Sequence, residues 1–197
     1  IAIVLINWSI YKSYGSESFA DISIYVMLNG VIYAGLSQVN DYVQSKVLLG
    51  ANFSKVLILQ TGLAIMFTLL GLSMSPLVFW LAGPNYTIDF KLFPILVVLN
   101  TLVSLKYAIS SKILALGQQV VSVASNVVWC GAVIIAVHLI DSKDARLIAP
   151  AYGHVFSLFF LLIILGRTKA ITLKDAMFIF IVAATTLLSI FTCTKLL

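Results

Sequence analysis

The sequence predicts an all-α integral membrane protein, a polytopic helical bundle in which residues 1–197 form a single transmembrane domain. Three observations carry this prediction. Apolar residues make up 61% of the chain and charged residues 10%, whereas a soluble domain carries roughly 25% charged side chains. The charges are spaced so that uncharged runs of about 20 residues or more lie between them, enough at about 1.5 Å per residue to cross a hydrocarbon core of about 30 Å. Inside those runs the polar residues recur at helical spacing. A water-soluble fold with only 12 basic and 7 acidic side chains leaves large apolar patches exposed. The net charge of +5 therefore reads as juxtamembrane anchoring, with no nucleic acid among the expected partners.

The elements follow from the charge-free runs. Asp21 to Asp41, Lys55 to Asp89, Lys112 to Asp141, Arg146 to Arg167 and Asp175 to Lys195 enclose no charge, and Leu92 to Ser111 is interrupted only by Lys106. Backbone polar groups inside lipid must be satisfied within the segment, which leaves helix as the state of each run. The map is a helix end at 1–11, then spans near 20–44, 54–82, 89–115, 119–140, 146–166 and 175–195. The opening "IAIVLINW" is too short to span, has no basic region before it, and is expected to be the end of a helix cut by the start of the sequence. The link from Asn40 to Lys55 has Val43, Val47 and Leu48 on one side, which fits either an interfacial amphipathic helix or a loop with frayed helix ends. In "WLAGPNYTIDFKLFP", Gly83 and Pro84 stop one helix and Asp89 and Lys91 hold the turn in water. Pro94 then falls in the first turn of the next helix, where its missing N–H costs little.

Basic residues suggest an orientation. Links that share a side hold Lys46, Lys55, Lys112, Arg167, Lys169 and Lys174, against Lys12, Lys91, Lys143, Arg146 and Lys195 opposite, so the 167–174 link is expected in the cytoplasm.

Polar residues within the spans form stripes. Asn100, Ser104, Tyr107 and Ser111 share one side of their helix; so do Tyr25, Asn29, Tyr33, Ser37 and Asn40, then Gln60, Ala64, Thr68, Gly71 and Ser75, and lastly Gln119, Ser122, Asn126 and Cys130. Such stripes either pack helix against helix, which small residues such as Gly71 favour, or enclose a hydrated cavity for a hydroxyl-rich ligand. On the second reading the candidate cavity residues are Asn29, Tyr33, Gln60, Asn100, Ser104, Tyr107 and Asn126. Lys106 sits about 120° from the Asn100 stripe. It either snorkels toward the interface near Lys112 or acts as a cavity cation, a charge partner for a phosphate. His138 and His154 read as hydrogen-bonded structural residues more readily than as a proton relay. Cys130 and Cys193 read as small apolar fillers.

Catalytic patterns are missing from the sequence. "GANFSK" lacks the second Gly and the Gly-Lys-Ser/Thr ending of a phosphate-binding loop. No His-x-x-x-His, cysteine pair or close carboxylate pair offers metal or acid–base chemistry. The expectation is a protein that is not an enzyme and needs no cofactor or metal.

Three stretches carry a family resemblance. "WLAGPNYT" at 80–87 resembles the hydrophobic-Gly-Pro-x-Tyr turn of polysaccharide-export proteins in the multidrug/oligosaccharidyl-lipid/polysaccharide (MOP, MATE-like) superfamily. "LALGQQVVSVASNVVWCGAVIIAVHLI" at 114–140 resembles that family's helix ending in Leu-Gly, short cytoplasmic turn and helix with a mid-membrane Asn, here Asn126. "YGSESFADISIYVMLNGVIYAGLSQVNDYVQSK" at 14–46 resembles its Gly-x-Tyr-type helix start leading into a span and a charged link. The chain departs from the pattern at "APAYGHVFS", where the family has Gly-Ala-Ala, and at "QVNDY", where it often has Pro. The resemblance implies a MATE-like C-terminal lobe of about six to seven transmembrane helices, one of two bundles around a central cavity. It implies an O-antigen (Wzx-type) flippase of the bacterial inner membrane that moves undecaprenyl-diphosphate-linked oligosaccharide. Its implied partners are the lipid-linked oligosaccharide, membrane lipids, and polysaccharide polymerase and chain-length proteins. The alternatives are a cation-coupled multidrug exporter of the same superfamily, whose ion site asks for a carboxylate within a span where this chain offers only Asp41 near one, and a non-transport membrane subunit with dry seams.

Overall fold

The computed structural model describes residues 2–83, 86, 88–139, 145–168 and 171–196, and the side chains of these except at 2–10, 13, 14, 16–22, 145–147, 187 and 190–196. Pro84, the link at 140–144 with Lys143, and Lys169 lie outside the described residues.

Among the described residues the fold is entirely helical. In chain order the elements are α1 (Ala2–Leu48), α2 (Phe53–Ser73), α3 (Ser75–Ala82), a 3-10 turn η1 (Phe90–Leu92), α4 (Phe93–Ala115), α5 (Gln119–Leu139), α6 (Ala145–Arg167) and α7 (Leu173–Leu196). Four stretches, Phe53–Ser73, Phe90–Ala115, Gln119–Leu139 and Ile148–Arg167, are long and apolar enough to cross a membrane. This is the architecture of a helical membrane protein.

Local chemistry sets the boundaries. α1 is broken at Gly15, whose φ of 79° and ψ of −177° are non-helical, and from there it continues as helix to Leu48. The link after Asn40 is thus helix as far as Leu48, and its turn is confined to 49–52. Val43 and Val47 are buried and extend the inward face of Ile32 and Leu36, so the apolar periodicity carries the helix on through Asp41. α1 and α4 end in the same way. Gly50 (φ 82°) and Gly117 (φ 73°) take the left-handed conformation, and the residues around them send paired N–H groups back to the last carbonyls. These bonds are Gly50 N to Val47 O at 3.1 Å and Ala51 N to Lys46 O at 3.0 Å, then Gly117 N to Leu114 O at 2.9 Å and Gln118 N to Ile113 O at 3.1 Å. Glycine carries no Cβ penalty there, which is why both turns are short.

Where the sequence reading draws one span over 54–82, two helices stand. Pro76 lies in the first turn of α3, and a proline cannot supply the N–H that would continue the α2 ladder, so the helix breaks at Met74. Pro94 likewise opens α4. α7 begins with a reciprocal cap: Thr172 Oγ1 accepts the Asp175 N–H at 3.2 Å, while Asp175 Oδ2 accepts the Thr172 N–H at 3.1 Å.

α4 is the hub, packed by α1, α2, α5, α6 and α7. Its span is 67% buried against 17% for α5, so α4 is central and α5 peripheral. Leu96, Leu102, Leu105, Ala108, Ile109 and Ile113 of α4 are fully enclosed. The outer surfaces carry Met27 and Val31 on α1, Ile58, Met66 and Leu70 on α2, Val123 and Ile135 on α5, and Phe180 and Ile181 on α7. Such faces suit lipid better than water.

One end of the bundle gathers the α1–α2 turn, the end of α4 and the start of α7. Ser54 Oγ donates to Asp175 Oδ1 at 2.5 Å, and Lys112 Nζ lies 5.7 Å from the centre of the Phe53 ring. The opposite end joins α1 to the segment before η1, where the Tyr25 hydroxyl donates to Asp89 O at 3.3 Å and receives the Asp89 N–H.

Candidate functional site

The polar stripes divide between two places. The first is a set of buried seams. Asn100, fully buried on α4, donates through Nδ2 to Asn29 Oδ1 on α1 at 2.8 Å. Gln60 on α2, also fully buried, donates to Asn40 Oδ1 on α1. Ser104 is fully buried one turn beyond Asn100, and its hydroxyl has no partner; neither have Asn100 Oδ1, Gln60 Oε1 and Asn40 Nδ2. Amide pairs inside an apolar bundle fix which helix faces meet, because slippage strands a polar group where it cannot be solvated. Gly71 serves the same seam: a Cβ there meets Ile32 Cγ1 of α1 at 2.2 Å. Asn29, Gln60, Asn100 and Ser104 therefore sit between helices and do not line the cleft described next.

The second place is an open cleft of about 430 Å³ between α1, α4, α5 and α6. α1 contributes Tyr33 and Gln44. α4 contributes Lys106, Tyr107, Ser110 and Ser111, α5 contributes Ser122, Asn126 and Trp129, and α6 contributes His154. Tyr33, Tyr107, Asn126 and Lys106 are thus brought together from the sequence candidates. The face of α4 that meets the cleft runs through Val103, Tyr107, Ser110 and Leu114, roughly 70° round the helix from the Asn100–Ser104 seam. That rotation explains Lys106. Off the Asn100 stripe by sequence, it lies on the far flank of the cleft face.

Lys106 is 8% exposed and does not snorkel to the bundle end. Its Nζ donates to Asn126 Oδ1 at 2.8 Å and lies 5.8 Å from the centre of the Trp129 ring. Among the described residues no carboxylate pairs with it. At the cleft edge the Tyr107 hydroxyl donates to Gln44 Oε1 at 2.8 Å and approaches Asp41 Oδ1 at 3.2 Å.

Trp129, His154, Ser110 and Gln44 complete the lining and were not among the sequence candidates. The Trp129 and His154 rings lie 5.5 Å apart, tilted by 42°. Gly153 permits this: a Cβ there meets Val133 Cγ2 at 2.4 Å and Trp129 Cδ1 at 2.9 Å, so α5 and α6 approach more closely than any larger residue allows. Trp129 Nε1 and His154 Nδ1 are both buried without a hydrogen-bond partner.

A larger space of about 710 Å³ lies between α5 and α6, lined by Val128, Ile135, Tyr152 and Phe156 with the small residues Gly131 and Ala132. It is almost wholly apolar, so it offers fit to hydrocarbon but no directional recognition. The polar cleft is the candidate site. Among the described residues, no three His, Cys, Asp or Glu side chains are grouped to hold a metal ion.

Fold and cleft together define a helical membrane protein with a polar, singly cationic cleft let into its apolar body. Comparison with protein-family models, with curated proteins and with solved structures returned no match.

Proposed function

We propose that the chain is part of a membrane transporter that moves an anionic, hydroxyl-rich amphiphile, most specifically undecaprenyl-diphosphate-linked oligosaccharide across the bacterial inner membrane. The observation that carries this reading is the cleft itself. Hydroxyls and amides from α1, α4 and α5 converge, beside the His154 imidazole of α6, with one buried cation at a position flanked by apolar spans, an arrangement suited to a cargo with a polar head and an apolar tail. The glycan lies against Tyr33, Tyr107, Ser110 and Ser122, the prenyl tail stays in lipid, and Lys106, held by Asn126, offsets the diphosphate charge. On this reading α1 beyond Gly15 and α7 join the four apolar helices as further spans, giving a MATE-like C-terminal lobe that rocks against a second lobe about the site. The resemblance at 14–46, 80–87 and 114–140 supports the specific cargo.

A full-length protein carrying Lys106→Ala or Asn126→Ala is expected to lose most surface polysaccharide in cells that depend on it. Wild-type levels in both variants sink the cleft assignment. Asp41, which accepts the Tyr107 hydroxyl at the cleft edge, favours a second reading as a cation-coupled exporter; loss of transport in Asp41→Asn with Lys106→Ala unaffected selects it.

A further inference from the structure

Lys106 reaches α5 through one hydrogen bond, to Asn126, and lies 5.8 Å from the centre of the Trp129 ring. An ammonium has three donors, and among the described residues its side-chain acceptor is the neutral Oδ1 of Asn126. A buried charge is favoured by an ionic or hydrogen-bonded partner, and among the described residues this ammonium has no anionic one, in a cleft wide enough to admit a ligand.

α5 itself is fastened to α6. Gly153 seats against Val133 and Trp129, Ser157 Oγ donates to Ser125 O at 3.1 Å, and Val133, Ala136 and Ala149 form a small core of their own, apart from the main one around α4. Among the described residues, Lys106–Asn126 is the side-chain hydrogen bond that ties α5 to α4.

We propose that Lys106–Asn126 is a latch released by the ligand: an oxyanion of phosphate type takes the place of Asn126 on the ammonium, and the α5 wall of the cleft is freed from α4. Asn126 is then a competitor for Lys106 and no ligand of the cargo. This deepens the transport reading, on which it rests for the presence of a phosphate-bearing cargo, and gives Asn126 the opposite role from a binding residue. A ligand that displaces an internal partner binds more weakly by the factor that partner contributes. Removing Asn126 therefore tightens the site.

The test uses the full chain in lipid nanodiscs, titrated with inorganic pyrophosphate in one arm and with farnesyl diphosphate in the other. Asn126→Leu is expected to raise the affinity about tenfold, the worth of one hydrogen bond to a charged group, and Lys106→Met to abolish binding. Spin labels at Ser110→Cys on α4 and Ser122→Cys on α5, with Cys130→Ser and Cys193→Ser, are expected to move apart on saturation and to stand apart without ligand in Asn126→Leu. Binding of the prenyl compound alone supports the latch with a lipid headgroup as the source, and binding of both supports it with the phosphate group sufficient. Weaker binding in Asn126→Leu, a label distance in that variant equal to wild type, binding that survives Lys106→Met, or no binding in either arm overturns it. Asn126 is exposed, so its variant remains informative should Lys106→Met fail to fold. If the latch results hold and the full-length protein moves no lipid-linked glycan, the proposed cargo falls while the latch stands; if glycan is moved normally in Lys106→Met, the latch falls and the transport reading stands on other residues.

Discussion

Gly153→Ala tests the packing that builds the cleft. The added Cβ lies 2.4 Å from Val133 Cγ2 and 2.9 Å from Trp129 Cδ1, where ordinary contact begins at 3.4 Å, so α5 must retreat by about 1 Å or the side chains must turn. Val133 is β-branched and holds essentially one rotamer in a helix, and it is fully buried. It cannot swing away. Overpacking of this kind costs about 1–3 kcal/mol, and for a chain of this size each kcal/mol lowers the melting temperature by roughly 2–4 °C. The assay is thermal unfolding of the purified protein in detergent, with Gly131→Ala on α5 as control, because a Cβ at Gly131 meets nothing within 4 Å. That control gains helix propensity, worth about 1 kcal/mol between Gly and Ala, and should melt no lower than wild type. Adding Val133→Ala to Gly153→Ala should recover part of the loss. A Gly153→Ala protein that melts with the wild type, or with Gly131→Ala, refutes the close approach of α5 and α6 and with it the placement of Trp129 beside His154.

Two further outcomes follow from individual contacts. Lys106→Met keeps the stem length and removes a buried charge that has only neutral partners, so it should raise the melting temperature while abolishing transport, a trade found where a site holds a group the fold alone does not favour; a lower melting temperature counts against the account of Lys106 as a buried charge without an anionic partner. Thr172→Val removes the hydroxyl that caps α7 and contacts Asp175 Oδ2 at 2.8 Å, which should cost about 1 kcal/mol in a denaturation series and loosen the α2–α7 junction at Ser54.

Much of the helical frame was legible because charge spacing and apolar runs report the solvent directly. Pro94 and the Gly50 and Gly117 turns mark helix ends by backbone chemistry alone. The continuation of α1 to Leu48 was also written in the chain, since Val43 and Val47 keep the spacing of Ile32 and Leu36; Asp41 and Lys46 masked it by suggesting a link. The break at Met74 had its signal in Pro76. The division of the polar stripes was not legible. Asn100 and Tyr107 sit on the same side of an isolated helix, and only the positions of α1 and α5 decide that Asn100 meets Asn29 while Tyr107 meets the cleft. Lys106 illustrates the same limit, because its angle from one stripe says nothing of a neighbour that approaches from the other flank. His154 carried no usable signal, since its place depends on how close Gly153 lets α6 come to α5.

The central claim is that the stripes form a dry seam at Asn100–Ser104 and a hydrated cleft at Tyr107–Ser122. Cysteines placed singly at Ser104, Ser110 and Ser122 in a Cys130→Ser, Cys193→Ser background, and exposed to a water-soluble thiol reagent in membranes, separate the two directly. Ser104 is fully buried, whereas Ser110 and Ser122 line the cleft. The account predicts rapid labelling at 110 and 122 and none at 104; equal labelling at all three positions, or protection at 110 and 122, contradicts it.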